Sequence, residues 1–259
     1  MPTQQEKGAL FQRLHAGPTF VIANAWDAGS AKMFAELGFP ALATSSSAAA
    51  GVLGYRDGQL SRAQALAQAT NVVAATELPV SADLEHGFGE TPSDVMETIR
   101  LASKLGLVGG SIEDATGNPE QPLFPFERAV DRVQAAAEAV RSLTMPFVLT
   151  ARCENYLHGK PDLDDTIRRL QAYERAGADV LFAPALPDLE AVRAVCSAVH
   201  KPVNFVVALR DRSFSVPALT DAGVRRISLG GSLYRAAMSM VHGAASEILG
   251  QGTFGYLQR

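Results

Sequence analysis

The 259-residue sequence contains no run near eighteen consecutive apolar residues, so nothing in it reads as a membrane-crossing helix. Its start, MPTQQEKGALFQRL, lacks the charged-then-apolar profile of a secretion signal. Cysteine is scarce: Cys153 and Cys196 stand at neither disulfide nor zinc spacing, which points to a reducing, cytoplasmic setting. Charge is sparse too, at 19% of residues with a net −4, and both signs are interspersed. That excludes a basic face for nucleic acid or an anionic membrane. No Pro/Ser-rich linker or low-complexity stretch divides the chain, so a single domain over residues 1–259 is expected. The first β-rich run leads into NAWDAGSAKM, with no G-x-G-x-x-G, which argues against a doubly wound dinucleotide fold.

What the sequence does contain is a rhythm. Short β-rich runs occur at 20–26, 41–47, 79–84, 108–114, 146–152, 178–185, 202–208 and 224–230. Stretches with helical spacing separate them, as at Ile167, Leu170 and Tyr173 or Leu189, Val192, Val195 and Val199. Gly38, Gly106, Gly177 and Gly223 stand where a helix would release the chain into the next strand. Strand–helix alternation implies parallel strands and right-handed crossovers, and eight units of this length predict a (β/α)8 barrel. Residues 1–19 then form an N-terminal helix, and 232–259 the last helix with its tail.

In such a barrel the chemistry lies at the carboxyl ends of the strands. Reading those ends gives Asn24, Trp26 and Asp27; Ser45, Ser46 and Ser47; Asp83 and Glu85; Glu113 and Asp114; Arg152 and Glu154; Asn204; and Gly230-Gly231-Ser232. Strand alternation places Asp83 and Glu85 on one side of the third strand, with Glu113 on the neighbouring fourth. Carboxylates so crowded repel one another unless a cation intervenes, and an all-oxygen donor set suits Mg2+ or Mn2+ rather than zinc. The competing reading is that strand-end acids cap helices or face water. Arg152 suits a bidentate grip on a substrate carboxylate, or a salt bridge to Glu113 or Glu154, or both. His86 and Cys153 each follow a site residue and so point away from it. Ser232 reads as a helix N-cap, or as part of a phosphate-binding helix start.

Taken together, the blocks S45-S46-S47, G54-Y55-R56-D57, A82-D83-L84-E85-H86-G87-F88-G89, S111-I112-E113-D114 and A151-R152-C153-E154 resemble the isocitrate lyase/phosphoenolpyruvate mutase superfamily over about residues 18 to 240. That resemblance implies Mg2+-dependent enzymes that cleave C–C or P–C bonds of small 2-oxo or 2-hydroxy carboxylates through enolate-type intermediates. It implies Asp83 as direct metal ligand, with Asp57, Glu85 and Glu113 holding metal-bound water. The Ser45–Ser47 turn, Arg152 and Asn204 would bind substrate, and Arg152, Ser46 and Glu154 would act in catalysis. The segment after Asp114, ATGNPEQPLFPFERAV, lacks the lid cysteine of the superfamily's lyases, and Ala115 and Pro184 replace residues used in phosphoryl chemistry. Decarboxylation needs an electron sink but no base; a retro-aldol cleavage would draw on Glu154, Tyr55, Thr116 or Asn118. A phosphonate enzyme, and a 2-oxo-acid-binding barrel with little catalysis, are the alternatives. The expected assembly is a homo-oligomer, through a swapped last helix or through its stripe of Leu233, Ala237, Met240, Ala244 and Ile248; packing of that stripe on its own barrel is the competing arrangement.

Overall fold

A computed structural model describes residues 2–207 and 214–258. Eight strands, β1 (Phe20–Asn24), β2 (Leu42–Ala43), β3 (Val80–Asp83), β4 (Gly109–Glu113), β5 (Val148–Arg152), β6 (Val180–Phe182), β7 (Val203–Val206) and β8 (Arg226–Ser228), close in sequence order into one parallel barrel. Closure is made where Phe20 of β1 pairs with Arg226 of β8. Helices separate the strands, and their apolar faces form two large clusters against the outside of the barrel. No helix among the described residues is long and apolar enough to cross a membrane.

The four helix-releasing glycines behave as expected: Gly38, Gly106, Gly177 and Gly223 all have φ between 89° and 108°, the left-handed region that a side chain resists. The observed strands are shorter than expected, and at 41–47 the chain changes element as well. There β2 stops at Ala43, and Ser46–Val52 is a short helix capped by Ser45. Serine competes well for a helix N-terminus and the following Ala48-Ala49-Ala50 favours helix, so the strand gives way early. Ala208, read as the end of the seventh strand, lies outside the described residues, as do Met1 and Arg259.

The amino ends of the strands are sealed by the helix Gln4–Ala16, shorter than the expected 1–19 and started by a capping box at Thr3. Phe11 is fully buried there among Phe20, Ile22, Val108, Val148 and Val180. Gln4 Nε2 donates to the carbonyls of Ser103 and Leu107, at 2.7 and 3.0 Å. The helix lies close enough that a Cβ on Gly8 would sit 2.4 Å from the backbone oxygen of Pro146. Gly8→Ala should therefore destabilise the protein by about 1–3 kcal/mol through overpacking, although alanine is worth about 1 kcal/mol more than glycine within a helix. Urea unfolding of the two proteins checks the sign.

Candidate active site

The carboxyl ends of the strands surround a cavity of about 250 Å³. Asp83, the last residue of β3, enters it held from three sides. Its N–H donates to Thr44 Oγ1 (3.0 Å), while its carboxylate accepts from the N–H groups of Ser46 (3.2 Å) and Glu85 (3.3 Å). The serine turn is thus partly spent on Asp83: the Ser46 amide, expected to face substrate, points at the carboxylate. The hydroxyls of Ser45 and Ser47 share a hydrogen bond of 3.1 Å, and all three serines line the cavity.

Strand alternation does not place Glu85. β3 ends at Asp83, and Glu85 lies in a tight turn with φ of 48°, closed by Gly87 N–H donating to the Leu84 carbonyl. The turn still brings its carboxyl to Asp83 and Asp57. Burial first, then the charges of Asp83 and Asp57, push the Glu85 pKa up to about 8, and its buried Oε1 has no hydrogen-bond partner. Asp57, on an exposed loop, turns its carboxyl to the cavity; desolvation raises its pKa, with Ser46 and Arg152 opposing and Asp83 assisting.

Arg152 occupies the centre. Its Nη1 lies 3.1 Å from Asp83 Oδ1 and 3.1 Å from Glu113 Oε2, and its Nη2 lies 2.8 Å from Glu154 Oε1. The guanidinium also stacks 5.0 Å from the ring centroid of Phe182. Burial works against its charge, but Glu154, Glu113 and Asp83 together lift its pKa well above the usual value. Desolvation, only partly offset by Arg152, raises both Glu113 and Glu154. Five acidic side chains, Asp57, Asp83, Glu85, Glu113 and Glu154, therefore lie within the field of Arg152. Among the described residues no three His, Cys, Asp or Glu stand close enough to form a ready-made metal cluster. An all-carboxylate donor set suits a hard cation such as Mg2+, which keeps most of its water and takes one or two carboxylates directly. The donor set and the unpartnered Glu85 Oε1 fit such an ion.

Behind the rim lies a network that sequence reading did not assemble. Asp114 is buried and accepts from Glu154 N–H (2.7 Å), Tyr173 Oη (2.7 Å) and Arg169 Nη1 (3.1 Å). Its neighbour in the sequence, Glu113, gave no hint of this, because Arg169 and Tyr173 come from a helix more than fifty residues away. Asn24 is also structural. It donates to Thr44 O (2.7 Å) and accepts from Leu229 N–H (2.9 Å) and Gly230 N–H (2.8 Å), stapling the ends of β1, β2 and β8. Asp27 caps the helix Ala28–Glu36, and Trp26 packs edge-on against Phe34 and Tyr234.

Asn204 lines the cavity, but both ends of its amide are engaged, with Ser228 Oγ at 3.0 Å and Arg226 Nε at 2.7 Å. Cys153 is packed in the core and burial raises its thiol pKa, while His86 is absent from the cavity lining. Gly231, not Ser232, is the N-cap of the last helix, and Ser232 Oγ donates back to Leu229 O. Arg235, unforeseen from sequence, reaches the cavity over Gly231, where a Cβ would lie 2.8 Å from Nη1. Residues 115–123 form a hydrogen-bonded excursion, with Ala115 bridging Leu123 and Thr116 N–H donating to Pro122 O, so Thr116 and Asn118 bond within their own loop.

A closed parallel barrel that gathers acids, a serine turn and an arginine at its strand ends is an α/β-barrel enzyme. The chain belongs to the phosphoenolpyruvate phosphomutase family, which it matches over residues 11–249. It is similar to a protein of Burkholderia cenocepacia J2315 described as a lyase or mutase, with 50% identity and a TM-score of 0.96 across 98% of this chain and 92% of that one. It is also similar to oxaloacetate decarboxylase 1 of Pseudomonas putida W619, 27% identical over 92% of this chain and 83% of that protein. The phosphoenolpyruvate phosphomutase of Streptomyces platensis subsp. rosaceus shares 26% identity and a TM-score of 0.84, over 95% and 88% of the two chains. Its relatives are thus lyases and mutases of the isocitrate lyase/phosphoenolpyruvate mutase superfamily.

A carboxyl whose folded pKa is about 8 against an ordinary 4.5 binds its proton more tightly in the folded chain. Its stabilising contribution is complete below pH 4.5 and is lost as pH rises to about 8. Without divalent cations the thermal midpoint should accordingly fall across that window. In Glu85→Gln the fall should be clearly shallower, as measured by calorimetry at matched ionic strength.

Proposed function

We propose that this protein is a Mg2+-dependent lyase that cleaves a C–C bond of a small 2-oxo or 2-hydroxy carboxylate through an enolate, with decarboxylation of an oxaloacetate-like 2-oxo acid as the favoured reaction. The observation that carries this reading is the crowding of acids at the mouth, where Arg152 pairs with Asp83, Glu113 and Glu154 while the carboxyls of Asp57 and Glu85 stand close to Asp83. Asp83 would hold the cation, with Asp57, Glu85 and Glu113 around it. When bound, the cation supplies Lewis-acid stabilisation for the negative charge that collects on the substrate's 2-oxo oxygen.

The chain's own groups do the rest. Arg152 keeps two edges on Glu154, Glu113 and Asp83, which fixes its plane toward a carboxylate arriving at the mouth. The hydroxyls of Ser45 and Ser47, which line the same cavity, would orient that group. Among the described residues lining the cavity there is no Cys, His or Lys. Loss of CO2 requires no proton acceptor, so it asks least of this wall, whose acid–base side chains among the described residues are Asp57, Asp83 and three arginines. The likeness to an oxaloacetate decarboxylase of Pseudomonas putida W619 favours the same choice.

The test is turnover of oxaloacetate, methylisocitrate, dimethylmalate and phosphonopyruvate with and without Mg2+, alongside Mn2+ binding by electron paramagnetic resonance. Oxaloacetate should be consumed in a Mg2+-dependent manner. Asp83→Ala should lower kcat about 10²–10³-fold, the scale of losing one preorganised electrostatic partner, and should release Mn2+. Full activity of Asp83→Ala in a chelator overturns the metal reading, and tight Mg2+-dependent oxalate binding without turnover of any substrate favours a binding protein.

We further propose a homo-oligomer built through the helix Ser232–Gln251. It has no buried residue, and Met240 and Leu249 are 56% and 88% exposed. Its apolar stripe does not fold back on the barrel beyond Leu233, which packs against the core. Light scattering should give a dimer or tetramer, and Met240→Glu with Leu249→Glu should shift it toward monomer without loss of the fold by circular dichroism.

A further inference from the structure

Below the acidic rim the cavity continues into the barrel, and its floor carries the opposite charge. Arg226, the first residue of β8, lines the cavity and is 5% exposed. Its partners are all neutral: Nε donates to Asn204 Oδ1 (2.7 Å), Nη2 to Thr150 Oγ1 (2.9 Å) and Nη1 to His15 Nε2 (3.2 Å). His15 is held as an acceptor, because its Nδ1 lies 2.8 Å from the Phe11 carbonyl and must carry the proton. Burial keeps that imidazole neutral, with a pKa of about 3. No Asp or Glu among the described residues pairs with Arg226.

A guanidinium has five N–H donors, and three are engaged, so two remain on Nη1 and Nη2. Hydroxyls surround the same space. Ser228 Oγ reaches a carbonyl only at 3.5 Å, and Ser81 and Ser111 line the cavity with no side-chain partner among the described residues. A buried cation without a counter-ion is costly, by several kcal/mol in general. Here the lining offers donors and space rather than a carboxylate. We propose that the floor of the cavity is a binding site for one compact monoanion, a halide or the carboxylate end of a small acid, held by Arg226 with the neighbouring serine hydroxyls. It is separate from the rim, where Arg152 is already neutralised by three carboxylates. It also holds whatever reaction the rim performs.

The probe is bromide. Crystals of the whole protein grown with sodium bromide should show an anomalous peak within hydrogen-bonding distance of the Arg226 guanidinium, and sodium formate should displace it if carboxylates share the site. A peak that formate leaves in place marks a halide site. In solution, protein-induced line broadening of the chloride NMR signal should weaken at least about tenfold in apparent affinity in Arg226→Met, the worth of one charge-assisted hydrogen bond. Should that variant not fold, the bromide map of the wild-type protein decides alone. Water only at the guanidinium in saturating bromide overturns the proposal, as does chloride broadening that Arg226→Met leaves unchanged. Neither measurement needs metal or turnover, so their failure is distinct from failure of the lyase reading.

Discussion

The geometry of the mouth depends on one buried guanidinium. Arg152 joins the ends of three consecutive strands, taking Asp83 from β3, Glu113 from β4 and Glu154 just past its own β5. Removing one partner of such a buried group typically costs about 3–5 kcal/mol, because the charges left behind stay out of water. The same arrangement restrains function. Each of these three carboxylates is oriented by the arginine, whose single charge does not balance theirs.

Precision at the rim is supplied from behind it. Asp114 accepts the Glu154 amide while Tyr173 and Arg169 hold its carboxylate, so the chain after β5 cannot drift without breaking a buried network. Thr44 and the Ser46 amide fix Asp83, and Asn24 ties β2 to the β8 turn that ends in Gly231. Gly231 needs no side chain for a visible reason: a Cβ there would fall 2.6 Å from Ser47 Oγ and 2.8 Å from Arg235 Nη1. Backbone staples and one missing Cβ thus set the shape into which the rim residues project.

The barrel was legible because each strand and helix exit left a local mark, and Gly38, Gly106, Gly177 and Gly223 sit in the left-handed conformation that their positions implied. The acids and Arg152 were legible because strand ends in a barrel converge by topology. What escaped was anything settled by competition or distance. Ser45 capped a helix where a strand was read, since capping and an alanine run outweighed two more residues of ladder. Glu85 reached its neighbours through a turn with φ of 48° rather than through alternation, which a single sequence does not disclose. Arg169 and Tyr173 looked like ordinary helix residues until the fold brought them to Asp114. Arg226 had a sequence signal, an arginine inside a barrel strand, but its burial and neutral company are tertiary facts.

The two arginines of the cavity are best understood as a pair. Arg152 is surrounded by acids, so its charge is spent holding them. Arg226 is surrounded by amide, hydroxyl and neutral imidazole, and burial alone lowers its pKa to about 9. Its charge is compensated by dipoles, which orient it without cancelling it. Along the cavity the side chains therefore change character, from acids at the mouth to an arginine without an acidic partner among the described residues at the floor. The cation proposed for the first and the anion proposed for the second would each meet side chains of the opposite charge.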